Sequence, residues 1–125
     1  MKTSIYDQHS EHSEWLNKLS FYVDEVAIMQ KRLEEISSKN SALEVRKEIE
    51  HFQNQLIIQS KSIDDLKRHI KLDEKVIMAG INKNPVASDH RKAEDHTEER
   101  ASMESLEKVF MEIRKEFNAF LSKRS

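Results

Sequence analysis

Residues 15–36 read WLNKLSFYVDEVAIMQKRLEEI. Within them Trp15, Leu19, Tyr22, Val26, Met29, Leu33 and Ile36 recur by four and three without a break. Steps of four and three hold one stripe on one face of an α-helix, whereas a strand would need steps of two. The same rhythm returns twice. It carries Ala42, Val45, Ile49, Phe52, Leu56, Gln59, Ile63, Leu66, Ile70, Asp73 and Ile77, then Met103, Leu106, Phe110, Ile113, Phe117 and Phe120. Extended backwards, the third register places Glu99 and His96 on the stripe as well.

Three periodic segments predict three helices, over about 10–36, 41–80 and 86–121. Ser37-Ser38-Lys39-Asn40 is polar and separates the first two. Ser41-Ala42-Leu43-Glu44 fits a capping box, in which Ser and Glu side chains satisfy unpaired backbone N–H groups. Gly80-Ile81-Asn82 supplies a residue suited to a left-handed cap, and Pro85 belongs in a first turn. Short connections between long helices make neighbours antiparallel. The expectation is one all-α domain over 1–125, an elongated, coiled-coil-like, up-down-up three-helix bundle. Counting outward from the turns sets Met29 near Ile49, Tyr22 near Leu56, Leu56 near Met111, and Phe52 near Lys115 and its neighbours. It also ends the first helix near the level of Asp65 to His69, leaving helices two and three as a projection.

The composition agrees. At 125 residues the chain has room for one core. It is 37% hydrophobic and 35% charged, a balance that suits helices each burying a single stripe. One Gly and one Pro oppose a turn-rich β fold. The net charge of −2 comes from interspersed signs with no basic stripe, so a nucleic-acid partner is not expected. Zero Cys removes disulfides and thiolate chemistry. No run approaches the roughly 18 apolar residues of a membrane span, and the first residues lack a signal-peptide core. A cytoplasmic protein without a membrane partner is expected.

Catalytic signatures are missing. A lone Gly cannot build a Gly-rich phosphate cradle, and no Gly-x-Ser-x-Gly elbow occurs. His69-Ile70-Lys71-Leu72 loosely resembles a phosphotransfer motif, but Asp73 stands where that motif has Gly. Glu48-Ile49-Glu50-His51 is one Glu-x-x-His, and the di-iron pattern requires a second. No enzyme activity and no organic cofactor are expected.

Two features point to function. Of six histidines, His9, His12, His69, His90 and His96 fall toward one end of the predicted bundle. Asp65 lies four residues from His69 on one helix face, while Glu94, Asp95 and Glu99 surround His96. Imidazole with carboxylate suits zinc, iron or manganese, so His12, Asp65, His69, His96 and Glu99 form a candidate divalent-metal set. A solvated polar tip is the competing reading. The second feature is apolar residues off the stripe: Phe21, Ile28, Ile57, Ile58 and Met111. They either widen the core or form an interface for a protein partner or homodimer. Of the two polar stripe members, Gln59 is placed to set register, and Asp73 is expected to be simply exposed.

The phrases Glu50-His51-Phe52-Gln53-Asn54-Gln55 and Glu94-Asp95-His96-Thr97-Glu98 resemble those of uncharacterised bacterial three-helix proteins, a likeness that implies no activity. Trp15 gives an architectural similarity to spectrin-like repeats, which carries no function. A helical protein for interaction or self-association is the leading expectation, and a metal-binding bundle is the alternative.

Overall fold

A computed structural model describes the backbone of residues 5–83 and 85–124, and the side chains of residues 6–79 and 96–124. The chain forms α1 (Ile5–Lys39), α2 (Leu43–Lys83) and α3 (Pro85–Arg124). The helices contain 35, 41 and 40 residues, so each is a rod of roughly 50–60 Å. All three pack against one another.

Cross-helix pairs fix the topology. His12 near the start of α1 meets Glu74 near the end of α2, so these helices are antiparallel. Glu48 near the start of α2 meets Arg124 at the end of α3, with Nη2 2.8 Å from Oε1. Helices α1 and α3 therefore run parallel, in keeping with Tyr22 against Phe110 at 4.4 Å between ring centroids and Glu25 against Arg114 at 3.4 Å. This is an up-down-up three-helix bundle.

The stripes face inward. Trp15, Leu19, Tyr22, Val26, Met29 and Leu33 are buried, as are Val45 through Ile70 at the α2 positions and Met103 through Phe120 on α3. Each large apolar side chain fully withdrawn from water contributes about 1.5–3 kcal/mol, so the repeated stripe, and not local propensity, holds rods this long together. Phe52 packs on Phe117 and Phe120, with centroids 5.5 and 5.2 Å away. Phe117 lies two residues from Lys115, within the expected level, and Phe120 extends the layer toward the end of α3. Gln59 is buried in the stripe, and its Nε2 donates to Leu106 O at 3.3 Å. No helix, among the described residues, is long and apolar enough to cross a membrane.

Several boundaries differ from expectation. Helix α1 starts at Ile5, and its buried face continues back through His12 to Gln8. It therefore reaches the level of Glu74, and the predicted two-helix projection above His69 is occupied by the first turns of α1. The early part of that stripe is polar, which hid it from an apolar periodicity. At α2, Arg46 N–H donates to Ala42 O at 3.1 Å, the first backbone bond of the helix. The N-cap thus falls at Ala42, one residue past Ser41, and the predicted capping box is out of register. Gly80 does not end α2, whose helical backbone continues to Lys83; one Gly inside a helix costs only about 1 kcal/mol. The side chains of His90, Glu94 and Asp95 lie outside the described residues.

Candidate metal centre

The stripe rule that builds the core also builds the site. Stepping back from Leu19 and Trp15 reaches His12 on α1, and stepping back from Met103 reaches Glu99 and His96 on α3. All three are buried. Each offers a ligand atom, and these atoms lie within 4.8 Å of one another. Trp15 forms the floor between them and the hydrophobic core. It stacks on His96 at 4.9 Å and 22° and meets His12 at 5.7 Å. The two imidazoles are 5.1 Å apart.

The protonation of His96 follows from its partners. Its Nε2 lies 2.8 Å from Glu11 Oε1. Arg100 grips the same carboxylate, with Nη2 2.5 Å from Oε1 and Nε 3.3 Å from Oε2. That guanidinium holds the Glu11 carboxyl below its usual range against the opposing effect of burial. A charged carboxylate only accepts, so Nε2 carries the hydrogen. Burial pushes His96 down despite Glu11, favouring the neutral ring. Nδ1 then presents a lone pair. It is buried, finds no hydrogen-bond donor among the described residues, and lies 3.9 Å from Glu99 Oε1.

His12 stands between two carboxylates. Nδ1 is 2.8 Å from Glu74 Oε1, and Nε2 is 2.7 Å from Glu99 Oε1. Burial alone would lower its pKa, but Glu99 and Glu74 together outweigh burial and raise it. Burial raises Glu99, with His12 opposing and Asp73 reinforcing the rise. A proton is thereby held between His12 Nε2 and Glu99 Oε1. His9 also pairs with Glu74.

The outer oxygen of Glu99 faces the other way. Oε2 is buried without a hydrogen bond among the described residues. It lies 3.4 Å from Nε2 of the exposed His69. His69 Nε2 is in turn 3.8 Å from Asp73 Oδ2. His69, Asp73 and Glu99 form a second group with ligand atoms within 4.8 Å.

Of the residues singled out from sequence, His12, His96 and Glu99 converge, and His69 joins from outside. Asp65 does not: it is exposed on the rim of the groove between α2 and α3 and pairs with Arg68 at 3.8 Å. Asp73, expected to be simply exposed, is mostly covered and belongs to the site. His51 of the Glu-x-x-His stretch is exposed, 3.9 Å from Glu116, so that pattern points away from the core. Sequence reasoning missed Glu11, Glu74 and Arg100, which flank the stripe. Phe21, Ile28, Ile57, Ile58 and Met111 are all more than half exposed, so they do not widen the core.

Comparison with protein families, curated proteins and solved structures finds nothing that matches this chain.

Proposed function

We propose that the chain is a metal-binding helical bundle. Its buried centre takes a divalent first-row transition ion such as zinc, iron(II) or manganese(II) on His12 Nε2, His96 Nδ1 and a Glu99 oxygen. One observation carries this reading. Each imidazole has its outer nitrogen on a carboxylate, Glu74 for His12 and Glu11 for His96, while both inner nitrogens point at the same buried oxygen of Glu99.

Metal-bound histidines generally carry such a carboxylate on the far nitrogen, which fixes the tautomer and raises ligand basicity. Two nitrogen or oxygen ligands held tetrahedrally about 2.0–2.1 Å from zinc are roughly 3.3 Å apart. The separations here, 2.7 Å and 3.9 Å, fall on either side of that, so small side-chain rotations form the site. Three protein ligands leave a coordination position for water or a small ligand. The surrounding carboxylates Glu11, Glu74 and Asp73 favour a cation over a proton pair.

The test is thermal unfolding of the full chain, purified without a tag and freed of metal by chelator, with each of the three ions added in turn. A ligand that prefers the native state must raise the melting temperature. The reading expects a rise with at least one ion, and expects His96→Ala to diminish it. No rise with any of the three overturns it.

A second reading, interaction or self-association through helix surfaces, is supported by the exposure of Phe21, Ile28, Ile57, Ile58 and Met111. It is compatible with the first, since these residues belong to neither metal-ligand group.

A further inference from the structure

We infer that the centre is dinuclear, with the Glu99 carboxylate bridging an inner ion on His12 and His96 and an outer ion on His69 and Asp73. This rests on the metal-binding reading above and extends it from one ion to two.

The two ligand groups, His12 with His96 and Glu99, and His69 with Asp73 and Glu99, share one residue. Glu99 is almost fully buried at 1% exposure, and it divides its oxygens between them. Oε1 faces His12 Nε2 and His96 Nδ1. Oε2 faces His69 Nε2 and has no hydrogen bond among the described residues. A buried carboxylate oxygen without a donor is costly, and here it is aimed at a histidine nitrogen and flanked by a second carboxylate, Asp73. A cation there would draw the unpaired Glu99 oxygen, the His69 nitrogen and the Asp73 carboxylate onto one centre. Bridged ions in two-metal sites lie about 3.5–4 Å apart, the spacing that the two oxygens of one carboxylate produce.

The two positions differ in access. The inner ion is enclosed by Trp15, both buried histidines and Glu99. The outer ion is solvent-facing, because His69 is exposed and lines an open groove between α2 and α3 with Ser62, Asp65, Ser102 and Ser105. With three protein ligands, the outer ion keeps positions for water or a small polar ligand entering from that groove.

The experiment is zinc stoichiometry by native mass spectrometry on the full chain, with dissociation constants from chelator competition, for wild type, His69→Ala and Glu99→Gln. His69 is exposed, so its loss leaves the core intact, and Gln keeps the shape of Glu99. The expected result is two zinc ions on wild type and one on His69→Ala, with the remaining constant unchanged. Glu99→Gln is expected to weaken both ions by tenfold or more. One zinc on both wild type and His69→Ala overturns the dinuclear inference and leaves the single-ion reading standing. Two zinc ions on His69→Ala, or loss of only one ion in Glu99→Gln, also overturns it. No zinc on wild type overturns the dinuclear inference, and the single-ion reading then stands or falls on the melting test with iron(II) and manganese(II).

Discussion

His96 Nδ1 and Glu99 Oε1 face each other across 3.9 Å inside the bundle, with no hydrogen bond between them and none to Nδ1 from any described residue. A buried imidazole nitrogen left unpaired costs on the order of 1–3 kcal/mol. The fold accepts that cost while spending Glu11 and Arg100 on the opposite nitrogen. Such asymmetry has little use in a structural core, where a Leu would pack without penalty, and it suits a metal ligand.

It follows that His96→Leu separates stability from binding. Without metal, the variant is expected to unfold at the same temperature or higher, since an unsatisfied polar atom is replaced by an apolar side chain. With zinc at about 100 times its dissociation constant, wild type gains about 2.7 kcal/mol. For a domain of this size that is roughly a 10 °C rise. His96→Leu should lose the part of it that the inner ion supplies. A full zinc-induced rise in the variant, followed by differential scanning fluorimetry, would remove His96 from the site.

The Glu11–Arg100 pair should act on the metal without touching it. Removing a carboxylate that holds the far nitrogen of a ligand histidine commonly costs 10–100-fold in metal affinity. Glu11→Ala is therefore expected to weaken zinc by that factor, and Arg100→Ala by less, because Glu11 keeps its bond to His96. Competition with a chromophoric chelator measures both. Equal affinity across the three proteins would show that His96 needs no outer partner.

The pH dependence has a definite sign. His12 has its folded pKa raised, so without metal the stability it contributes is fully present below about 6.5, its unfolded value. That stability is lost as pH climbs through the folded value. His96 has a lowered folded pKa, so its contribution is present above about 6.5 and is lost as pH falls through the folded value. A metal ion must displace the proton on His12 Nε2, so zinc affinity should rise with pH until His12 has titrated, about tenfold per unit for one proton released. Calorimetry in buffers of different ionisation enthalpy reads that proton directly. Release of no proton near pH 6 would mean that His12 is not a ligand.

How far this was legible in sequence depends on what the stripe was made of. The apolar steps from Trp15 to Leu33 and from Met103 to Phe120 placed the core correctly because burial of apolar surface dominates there. The same steps continue through His12 and Gln8 on α1, but polar residues carry no hydropathy signal, so apolar periodicity alone shows neither the true start of the helix nor its reach. Glu99 and His96 were found by extending the register of α3. Asp73 sits on the α2 register, but its burial depends on the first turns of α1, which apolar periodicity does not show. Glu11, Glu74 and Arg100 lie beside the stripe, where charged residues are usually solvated, and only the three-dimensional convergence sets them apart.

Gln59 offers a test of the core independent of metal. Its side chain is buried and donates to Leu106 O, a backbone oxygen within α3. Leucine removes a buried polar side chain, and the acceptor left behind is a backbone oxygen inside α3 that the helix itself can satisfy. Gln59→Leu should therefore leave the melting temperature unchanged or raise it. The cost should appear in uniqueness, since buried polar residues can fix register and oligomer state. Dispersed amide resonances alongside an undiminished melting temperature would show that register is set elsewhere.

The exposed residues Ile57 and Ile58 supply the last prediction. They stand 61% and 65% exposed on the middle of α2, with Ile58 on the edge of the groove that His69 also lines. Glu has a helix propensity no worse than that of Ile, and surface substitutions usually shift stability by no more than about 0.5 kcal/mol. The double variant Ile57→Glu with Ile58→Glu should therefore fold and melt as wild type does. If this face joins two copies, light scattering at tens of micromolar, well above a dissociation constant of about 1 μM, should show a dimer for wild type and a monomer for the variant, because a buried unpaired carboxylate is strongly unfavourable. Identical masses for both would sink self-association through this surface. Zinc binding is expected to be the same in both proteins, since neither residue belongs to the ligand groups around Glu99.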